Sequence, residues 1–456
     1  MKSNMNLEAI AGKKILFASM PAEGHVNPLT GLAKYLQTCG ADVRWYTGAS
    51  YAAKMEKLDI HLYPFQRAVD VGAANIDELF ADRVQIKGQV KKLVYDMINV
   101  FIRQAPKFID DMQDIQKEFP FDLVVAECTF TAIPIINKIF DVPVAGVGIV
   151  PLTETSRDLP PMGLGMTPSY TLTGKVKQAF LRFITDKVLF RKANLAAYEM
   201  LDGYGVEHNR SNIFDLNVKA SDVYLQSGTP GFEYRRSDMS RHIRFIGSLL
   251  PYTSSKKLSS WNDVRLTQYE KVVIVTQGTV EKDVEKILVP ALEAFKNTDT
   301  LVVCTTGGSQ TEELRKRFPQ QNLIIEDFIP FDSIMPYAKA YITNGGYGGV
   351  MLGIENKLPM VVAGVHEGKN EICARVGYFK LGINLKTEKP TAAQIKKAAE
   401  KVMVSSVYKK NIQRLSREFR QYHPGELSAS HIGALFNKRA KGKTISFDSN
   451  TLHQAV

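Results

Sequence analysis

The sequence predicts an α/β protein in which two domains, each built on an open parallel sheet, face a central cleft. Short apolar runs alternate with helical stretches, and this plan starts again near the middle of the 456 residues. Runs such as VVIV and LVVC are apolar at every position, as expected for parallel strands covered by helices on both faces. Because such sheets bind ligands beyond the carboxyl ends of their strands, the loops after the strands are predicted to line the cleft.

The predicted elements follow this plan in order. The strands of the first domain (1–248) are predicted at Lys14–Ser19, Asp42–Thr47, Asp122–Ala126, Val142–Val147 and Asp222–Leu225. Those of the second domain (269–408) are predicted at Lys271–Thr276, Thr300–Thr305, Asn322–Glu326, Ala340–Thr343, Pro359–Ala363 and Leu381–Leu385. The polar segment 249–268 is predicted to be a linker.

The C-terminal part is predicted to be helical over 409–438 and to pack back on the first domain, with a break at His423-Pro424-Gly425. A flexible tail is predicted for 439–456.

Composition limits the classes of protein that remain. With 45% hydrophobic and 23% charged residues, the chain can bury a full-sized core. The polar first twelve residues and the absence of an apolar run of ~18 residues predict no transmembrane segment and a cytoplasmic location. The four cysteines are widely spaced, so free thiols are expected rather than disulfides or a zinc site. The net charge of +11 fits an anionic partner such as a nucleotide, a nucleic acid or an acidic membrane surface, or a merely solvated basic surface.

His25 is a candidate general base. It lies in the loop Met20–Pro28, directly after the first predicted strand, and the next helix is predicted to begin near Pro28. A neutral imidazole facing the cleft can take a proton from a hydroxyl near neutral pH. The alternative is a loop histidine that only bonds to the backbone.

Glu127 is the candidate partner of His25. It follows the apolar run DLVVA, so it lies on the same rim of the predicted sheet. A carboxylate there would orient the imidazole and stabilise its charged form. An ordinary solvated strand end is the alternative.

Glycine-bearing strand ends in the second half suggest a diphosphate site. Gln277-Gly278-Thr279 follows the first strand, and a glycine-rich loop opens a later helix with Asn344, Gly345, Gly346, Gly348 and Gly349. Backbone N–H groups approach a diphosphate closely only where side chains are absent, and a helix N-terminus adds favourable charge. Neither the dinucleotide fingerprint nor a Walker A motif is present, which argues against an NAD-dependent oxidoreductase. A tight structural turn is the alternative.

Three further residues follow strand ends in this half. Phe328 could stack on a base or belong to the core. Glu367 and Lys369 could bond sugar hydroxyls or phosphate, or be solvated loop charges.

Together these segments resemble the family 1 nucleotide-sugar glycosyltransferases of GT-B fold, which have two Rossmann-like domains. GHVNP and VVAE match the first-half loops of that family, and VTQGT, DFIPFDSIMPYA and ITNGGYGGVMLGIENKLPMVVAGVHEGKNE follow the order of its donor signature. The resemblance is nearest to bacterial members that act on natural-product and macrolide-type aglycones. It implies an acceptor-binding first domain, a donor-binding second domain, His25 as base, Glu127 as its acid, and Gly24 beside the donor.

Several positions depart from the family pattern. Glu127 replaces the usual Asp, Asn344 stands at the usual His, Phe328 at the usual Trp, and Leu352 at the ribose-binding Glu. Gly368-Lys369 replaces the Asp-Gln pair that reads the sugar. The donor is therefore expected to be either a UDP-sugar or a dTDP-sugar.

The expected reaction is an inverting transfer of that sugar to a hydroxyl of a small hydrophobic acceptor, without a metal cofactor and without nucleic acid. An apolar acceptor pocket is predicted from loop residues that could equally be ordinary packing: Phe65, Phe130, Ile149, Leu152, Leu159, Met162, Leu164 and Met166. The alternatives are a sugar-nucleotide epimerase of the same fold and a non-catalytic nucleotide-sugar-binding protein.

The basic stretch 175–192 is predicted to be an amphipathic helix that packs by its apolar face. The alternative is weak contact with an anionic membrane surface.

Overall fold

Two parallel sheets with helices on both faces form the protein, which confirms the predicted α/β architecture. The computed structural model describes residues 6–74, 76–253, 261–278 and 281–448. The N-terminal sheet contains β1 (Lys14–Ala18), β2 (Asp42–Thr47), β3 (His61–Pro64), β4 (Leu123–Glu127), β5 (Val144–Gly148), β6 (Val223–Ser227) and β7 (Ile243–Gly247). The C-terminal sheet contains β8 (Lys271–Thr276), β9 (Thr300–Thr305), β10 (Leu323–Glu326), β11 (Ala340–Thr343), β12 (Met360–Val362) and β13 (Gly382–Asn384).

The helices connect these strands and cover both sheets. In the N-terminal half they are α1 (Glu23–Thr38), α2 (Ala52–Lys57), α3 (Ile76–Leu79), α4 (Gln89–Asp96), α5 (Ala105–Glu118), α6 (Ile133–Phe140), α7 (Leu172–Ile184), α8 (Arg191–Asp202) and α9 (Ile213–Ala220). In the C-terminal half they are α10 (Arg265–Gln268), α11 (Leu288–Phe295), α12 (Thr311–Arg317), α13 (Phe331–Ile334), α14 (Tyr347–Glu355), α15 (Lys369–Tyr378), α16 (Ala392–Val404), α17 (Ser406–Phe419) and α18 (Pro424–Asp448).

Both sheets reverse their strand order at one point. The orders are β3-β2-β1-β4-β5-β6-β7 and β10-β9-β8-β11-β12-β13, and every pairing within them is parallel. The order reverses between β1 and β4 in the first sheet and between β8 and β11 in the second. The loops after these strands diverge to opposite faces, which opens a crevice where such folds bind ligands.

The sequence missed two strands, β3 and β7. Both are edge strands, and each carries exposed polar or charged side chains, at His61 in β3 and at Arg244 in β7. Edge strands have one neighbour and need no continuous apolar run, so the pattern that identified the central strands does not mark them.

Helix α1 begins earlier than predicted. The extended residue Ala22 precedes it, and its first turn starts at Glu23, so Pro28 lies inside the helix and not at its start. His25 therefore lies on the first helical turn rather than in an extended loop.

The C-terminal helices divide between the two domains. Helix α17 packs in the core of the C-terminal domain through Ile412, Leu415 and Phe419, whereas α18 packs on the N-terminal domain, where Ala429 and Ile432 join the core. Helix α18 continues to Asp448, and the remainder of the predicted tail, 449–456, lies outside the described residues.

Helix α7 packs opposite to expectation. Its buried residue is the polar Gln178, whereas Leu172, Val176 and Phe180 are exposed. The prediction that the stretch 175–192 packs by its apolar face was therefore wrong for α7, whereas Leu189 and Phe190 after it do pack in the core.

Replacement of Gly382 by alanine should destabilise the C-terminal domain. A Cβ at this position would lie 1.9 Å from the backbone oxygen of Met360 on the neighbouring strand. Because a backbone atom cannot move aside cheaply, we expect a loss of about 1–3 kcal/mol in the free energy of unfolding, measured by urea denaturation. Gly377→Ala, in α15, is the matched control, because its Cβ would lie at an ordinary contact distance of 3.6 Å from the Cβ of Asn384. Equal stability of Gly382→Ala and wild type would contradict this packing.

Candidate active site

His25 and Glu127 lie side by side at the reversal point of the N-terminal sheet. Parallel pairing places Ala18 of β1 opposite Ala126 of β4, and the two side chains follow these positions. His25 Nδ1 lies 3.2 Å from Glu127 Oε1. The Glu127 side chain is fully buried, and the His25 side chain is 26% exposed. The imidazole is thus the member of the pair that a ligand can reach.

A small hydrogen-bond network fixes the protonation of this pair. Thr129 Oγ1 donates to Glu127 Oε1 at 2.6 Å, and the backbone N–H groups of Thr129 and Met20 donate to the same carboxylate at 2.7 and 3.2 Å. Thr129 Oγ1 also lies 3.1 Å from His25 Nδ1. Because the threonine proton points to Glu127, and a carboxylate only accepts, Nδ1 carries the proton. Nε2 is left with a free lone pair.

The two groups shift each other's pKa in opposite directions. Burial lowers the pKa of His25, but the charge of Glu127 and the hydrogen bond to it outweigh this effect, so the pKa lies above the ordinary 6.5. Burial raises the pKa of Glu127, but His25 and Thr129 outweigh this, so the pKa lies below the ordinary 4.5. The folded state therefore gains stability from Glu127 above pH 4.5 and from His25 below pH 6.5. This gain is lost below the lowered pKa of Glu127 and above the raised pKa of His25.

The glycine loops of the C-terminal domain meet at its own reversal point. Asn344, after β11, donates through Nδ2 to the carbonyl oxygen of Gln277, after β8. Its Oδ1 accepts from Gly346 N at 3.2 Å. Asn344 therefore ties the two loops together. Gly278 has a φ of +78°, which favours glycine, and Thr279 lies outside the described residues.

The loop 343–349 leaves backbone amides open at the start of α14. Gly345 has a φ of +81°, and a Cβ there would lie 2.3 Å from Cys373 Sγ, so glycine is needed for both reasons. Gly346 caps α14, and Gly348 and Gly349 lie in its first turn. A helix N-terminus with small residues can receive an anion.

The remaining predicted donor residues lie on several elements, and Lys369 is close to this loop, its carbonyl oxygen 3.8 Å from a Cβ added at Gly345. Phe328 is 68% exposed and lies near Gly308, whose added Cβ would be 4.0 Å from the ring. An aromatic face this open is available for stacking. Lys369 Nζ pairs with Glu367 Oε2 at 2.5 Å at the start of α15. Gly24 lies in the first turn of α1, and a Cβ on it would meet no atom within 4 Å.

The predicted acceptor residues separate into two groups. Phe65 and Phe130 belong to one core cluster and Ile149 to another, and their assignment to the acceptor pocket stays a prediction. Leu152, Leu159, Met162 and Met166 line a cavity of about 30 Å³, and Leu164 is 39% exposed. A cavity of this size holds about one water molecule.

Charged residues from both domains close this cavity. Arg375 of α15 donates from Nη2 to Glu233 Oε1 at 2.7 Å and from Nη1 to Glu371 Oε2 at 3.2 Å. Glu371 Oε1 accepts from the backbone N–H groups of Gly163 and Gly165 at 2.9 and 2.8 Å. The segment 152–166 is thereby bonded to the helix that begins at Lys369.

The sequence did not identify Thr129, Glu371 or Arg375 as site residues. Thr129 is two residues from Glu127, a spacing that could have suggested a hydroxyl partner. Glu371 and Arg375 are separated by four residues on a helix, but their partners Gly163 and Glu233 are distant in the chain. Only the folded structure brings this second group together.

The described residues contain no helix long and apolar enough to cross a membrane.

Comparisons with known proteins agree on one family. The sequence model of the "UDP-glucoronosyl and UDP-glucosyl transferase" family matches residues 183–426. The 4'-demethylrebeccamycin synthase of Lentzea aerocolonigenes is 32% identical over 409 residues, covering 90% of this chain and 96% of that protein. UDP-glucosyltransferase 1 of Beauveria bassiana is 29% identical over 438 residues, covering 91% and 93%.

Solved structures show the same fold. A calicheamicin glycosyltransferase superposes with a TM-score of 0.72 at 19% identity, covering 94% of this chain and 99% of the other.

Replacement of Glu127 by glutamine should lower the pKa of His25. The neutral amide removes the charge that opposes burial, so the pKa is expected to fall below 6.5. It can be measured by NMR titration of the imidazole signal that is missing from a His25→Ala sample. Thr129→Val is the control: it keeps the carboxylate, so the pKa should stay above 6.5. An unchanged pKa in Glu127→Gln would show that this pair does not interact.

Proposed function

The chain belongs to the UDP-glucuronosyl and UDP-glucosyl transferase family and is a glycosyltransferase, and on this premise we propose that it transfers a sugar from a UDP- or dTDP-sugar to a hydroxyl of a small hydrophobic acceptor. In this proposal His25 is the general base, and the configuration at the anomeric carbon is inverted. The observation that carries the proposal is the partly exposed His25, held by the buried Glu127 and by Thr129. A histidine with one nitrogen fixed by a carboxylate and the other free is built to accept a proton.

The proposed reaction is a single displacement. The acceptor oxygen attacks the anomeric carbon and loses its proton to His25 Nε2, while the bond between that carbon and the diphosphate oxygen breaks. The resulting imidazolium is stabilised by the Glu127 carboxylate 3.2 Å from Nδ1. Because Glu127 is fully buried, water screens this attraction weakly, and the stabilisation grows as the proton moves.

The loop 343–349 is the proposed diphosphate site. Its open amides at the start of α14 can stabilise the charge that develops on the leaving group. We therefore propose that these amides stabilise the negative charge on the departing diphosphate without the help of a metal ion. Asn344 has an indirect part, because its amide holds the loops after β8 and β11 together.

The proposed acceptor site is the cavity beside the segment 152–166. Its lining combines the apolar Leu152, Leu159, Met162 and Met166 with the charged Glu154, Arg236, Glu371 and Arg375. The apolar residues suit a hydrophobic aglycone, and the 32% identical relative named 4'-demethylrebeccamycin synthase supports a natural-product acceptor. Since the cavity is about 30 Å³, an aglycone requires the segment to move away from α15. The hydrogen bonds of Glu371 to Gly163 and Gly165 are the contacts that this movement breaks.

Loss of the His25 imidazole should abolish most transfer. Removing a general base costs about 10²–10⁴-fold in rate. The test incubates wild type and His25→Ala with mixed UDP- and dTDP-sugars and a panel of phenolic and terpenoid acceptors, and detects the added sugar by mass spectrometry. His61→Ala is the matched control, because His61 is exposed on the edge strand β3 and should keep wild-type activity.

Two results would contradict the proposal. Equal amounts of product from His25→Ala and wild type would show that His25 is not the general base. Unmodified acceptors together with an altered donor would favour an epimerase.

Removal of the Phe328 ring should weaken donor binding. Stacking of a base on an aromatic side chain contributes about 1–3 kcal/mol, so Phe328→Ala should raise KM for the donor about tenfold. The kcat should change little, because the base lies away from the reacting bond. Phe328→Trp keeps a flat face and should restore KM. Tyr337→Ala removes an aromatic side chain that is 40% exposed. Tyr337 precedes β11, at the amino ends of the strands, whereas Phe328 follows the carboxyl end of β10, so this variant should have no effect. An unchanged KM in Phe328→Ala would exclude stacking there.

A further inference from the structure

Helix α7 presents an apolar stripe to solvent. Leu172, Val176, Phe180 and Phe183 follow helical spacing along one face, and they are 83%, 71%, 62% and 59% exposed. Val188, in the π-helical turn that continues α7, is 61% exposed. This is a continuous surface feature, whereas exposed apolar residues elsewhere on a protein are usually scattered singly.

The opposite face of α7 holds the helix on the domain. Gln178 is buried, accepts from Ser169 N at 2.6 Å and donates to the carbonyl oxygen of Asp158 at 3.0 Å. Arg182 donates to the carbonyl oxygen of Leu159. These bonds anchor the helix by its polar side, so the outward direction of the apolar stripe is fixed by the fold.

The charge along α7 itself is positive, although Asp158 and Asp238 lie near Lys175 and Arg182 on its inner side. No Asp or Glu occurs from residue 159 to residue 185. Lys175 and Lys177 are exposed within the first two turns of α7, and Arg191 and Lys192 are exposed at the start of α8. Asp186 follows the helix, but its carboxylate is already paired with Lys187 and accepts hydrogen bonds from Asn194 and Asn212.

We propose that the outer face of α7 binds the surface of an anionic lipid bilayer, with Leu172, Val176, Phe180, Phe183 and Val188 in the headgroup region and the lysines on lipid phosphates. An apolar stripe bordered by basic residues is the chemistry of an interfacial helix. A second copy of this chain fits the face poorly, because the same basic residues would approach one another. The proposal goes beyond sugar transfer, since attachment does not depend on that reaction.

The position of this face has a consequence for the acceptor. Through Gln178 and Arg182, α7 is bonded to the segment 158–169, part of which lines the cavity with Leu159 and Met162. A bilayer on the outer face would therefore lie near the segment that must open for a lipophilic acceptor.

Vesicle flotation of the full chain tests this proposal. Wild type should float with vesicles of phosphatidylcholine containing about a third phosphatidylglycerol, bind pure phosphatidylcholine at least about tenfold more weakly, and dissociate as salt rises. Phe180→Ser combined with Phe183→Ser should weaken binding about tenfold or more. Lys175→Glu combined with Lys177→Glu should do the same through charge.

Matched controls separate the face from general surface effects. Val404→Ser with Val407→Ser removes two residues that are 85% and 48% exposed on the C-terminal domain. Lys396→Glu with Lys397→Glu makes the same charge change on exposed positions of α16. Both control pairs should float like wild type, and circular dichroism should show all variants folded.

The outcomes are distinct from those of the transfer assay. Absence of wild-type flotation, equal flotation of the α7 and control variants, or a wild-type dimer that dissociates in the Phe180/Phe183 variant would each overturn the proposal. The α7 variants should keep wild-type turnover of a water-soluble acceptor. Failure of transfer in every sample would count against the proposed function and leave the flotation result intact.

Discussion

The parallel pairing of β1 with β4, and of β8 with β11, is the constraint on which the rest of the structure depends. Each pairing is the point where the strand order reverses, so the loops that follow the two strands separate and leave an open crevice. In the first sheet this brings His25 within 3.2 Å of Glu127 although about a hundred residues separate them. In the second it lets Asn344 bond to Gln277. A shift of register in either pair would separate the groups on which the proposed chemistry rests.

Burial of the Glu127 carboxylate determines which polar groups have to surround the His25–Glu127 pair. The carboxylate is fully enclosed, and an enclosed charge is costly unless nearby groups compensate it. Here two backbone amides, a hydroxyl and an imidazole compensate the charge of Glu127. The Glu127 carboxylate contacts the ring directly at 3.2 Å, and Thr129 Oγ1 lies beside both groups, 2.6 Å from Glu127 Oε1 and 3.1 Å from His25 Nδ1. The substitution therefore keeps the arrangement with one additional polar partner.

The sequence predicted the central strands, the two-domain architecture and the pairing of His25 with Glu127, because these depend on apolar runs and on strand ends that any parallel sheet brings together. It failed where the outcome depends on tertiary context. The edge strands β3 and β7 lack continuous apolar runs, so the pattern that identified the central strands did not mark them. The exposed stripe of α7 has the same composition as a buried one, so periodicity alone could not show which face packs.

The bonds between Glu371 and the segment at Gly163 and Gly165 also bear on how enzymes of this architecture can be recombined. A chimera cut between the two domains would separate Glu371 and Arg375 from Gly163, Gly165 and Glu233. Each half would then carry buried charges or amides without their partners, and the penalty for such groups is large. A functional hybrid therefore has to take both sides of this contact from the same parent enzyme: residues 163–165 and 233 of the N-terminal domain, and residues 371–375 of the C-terminal domain.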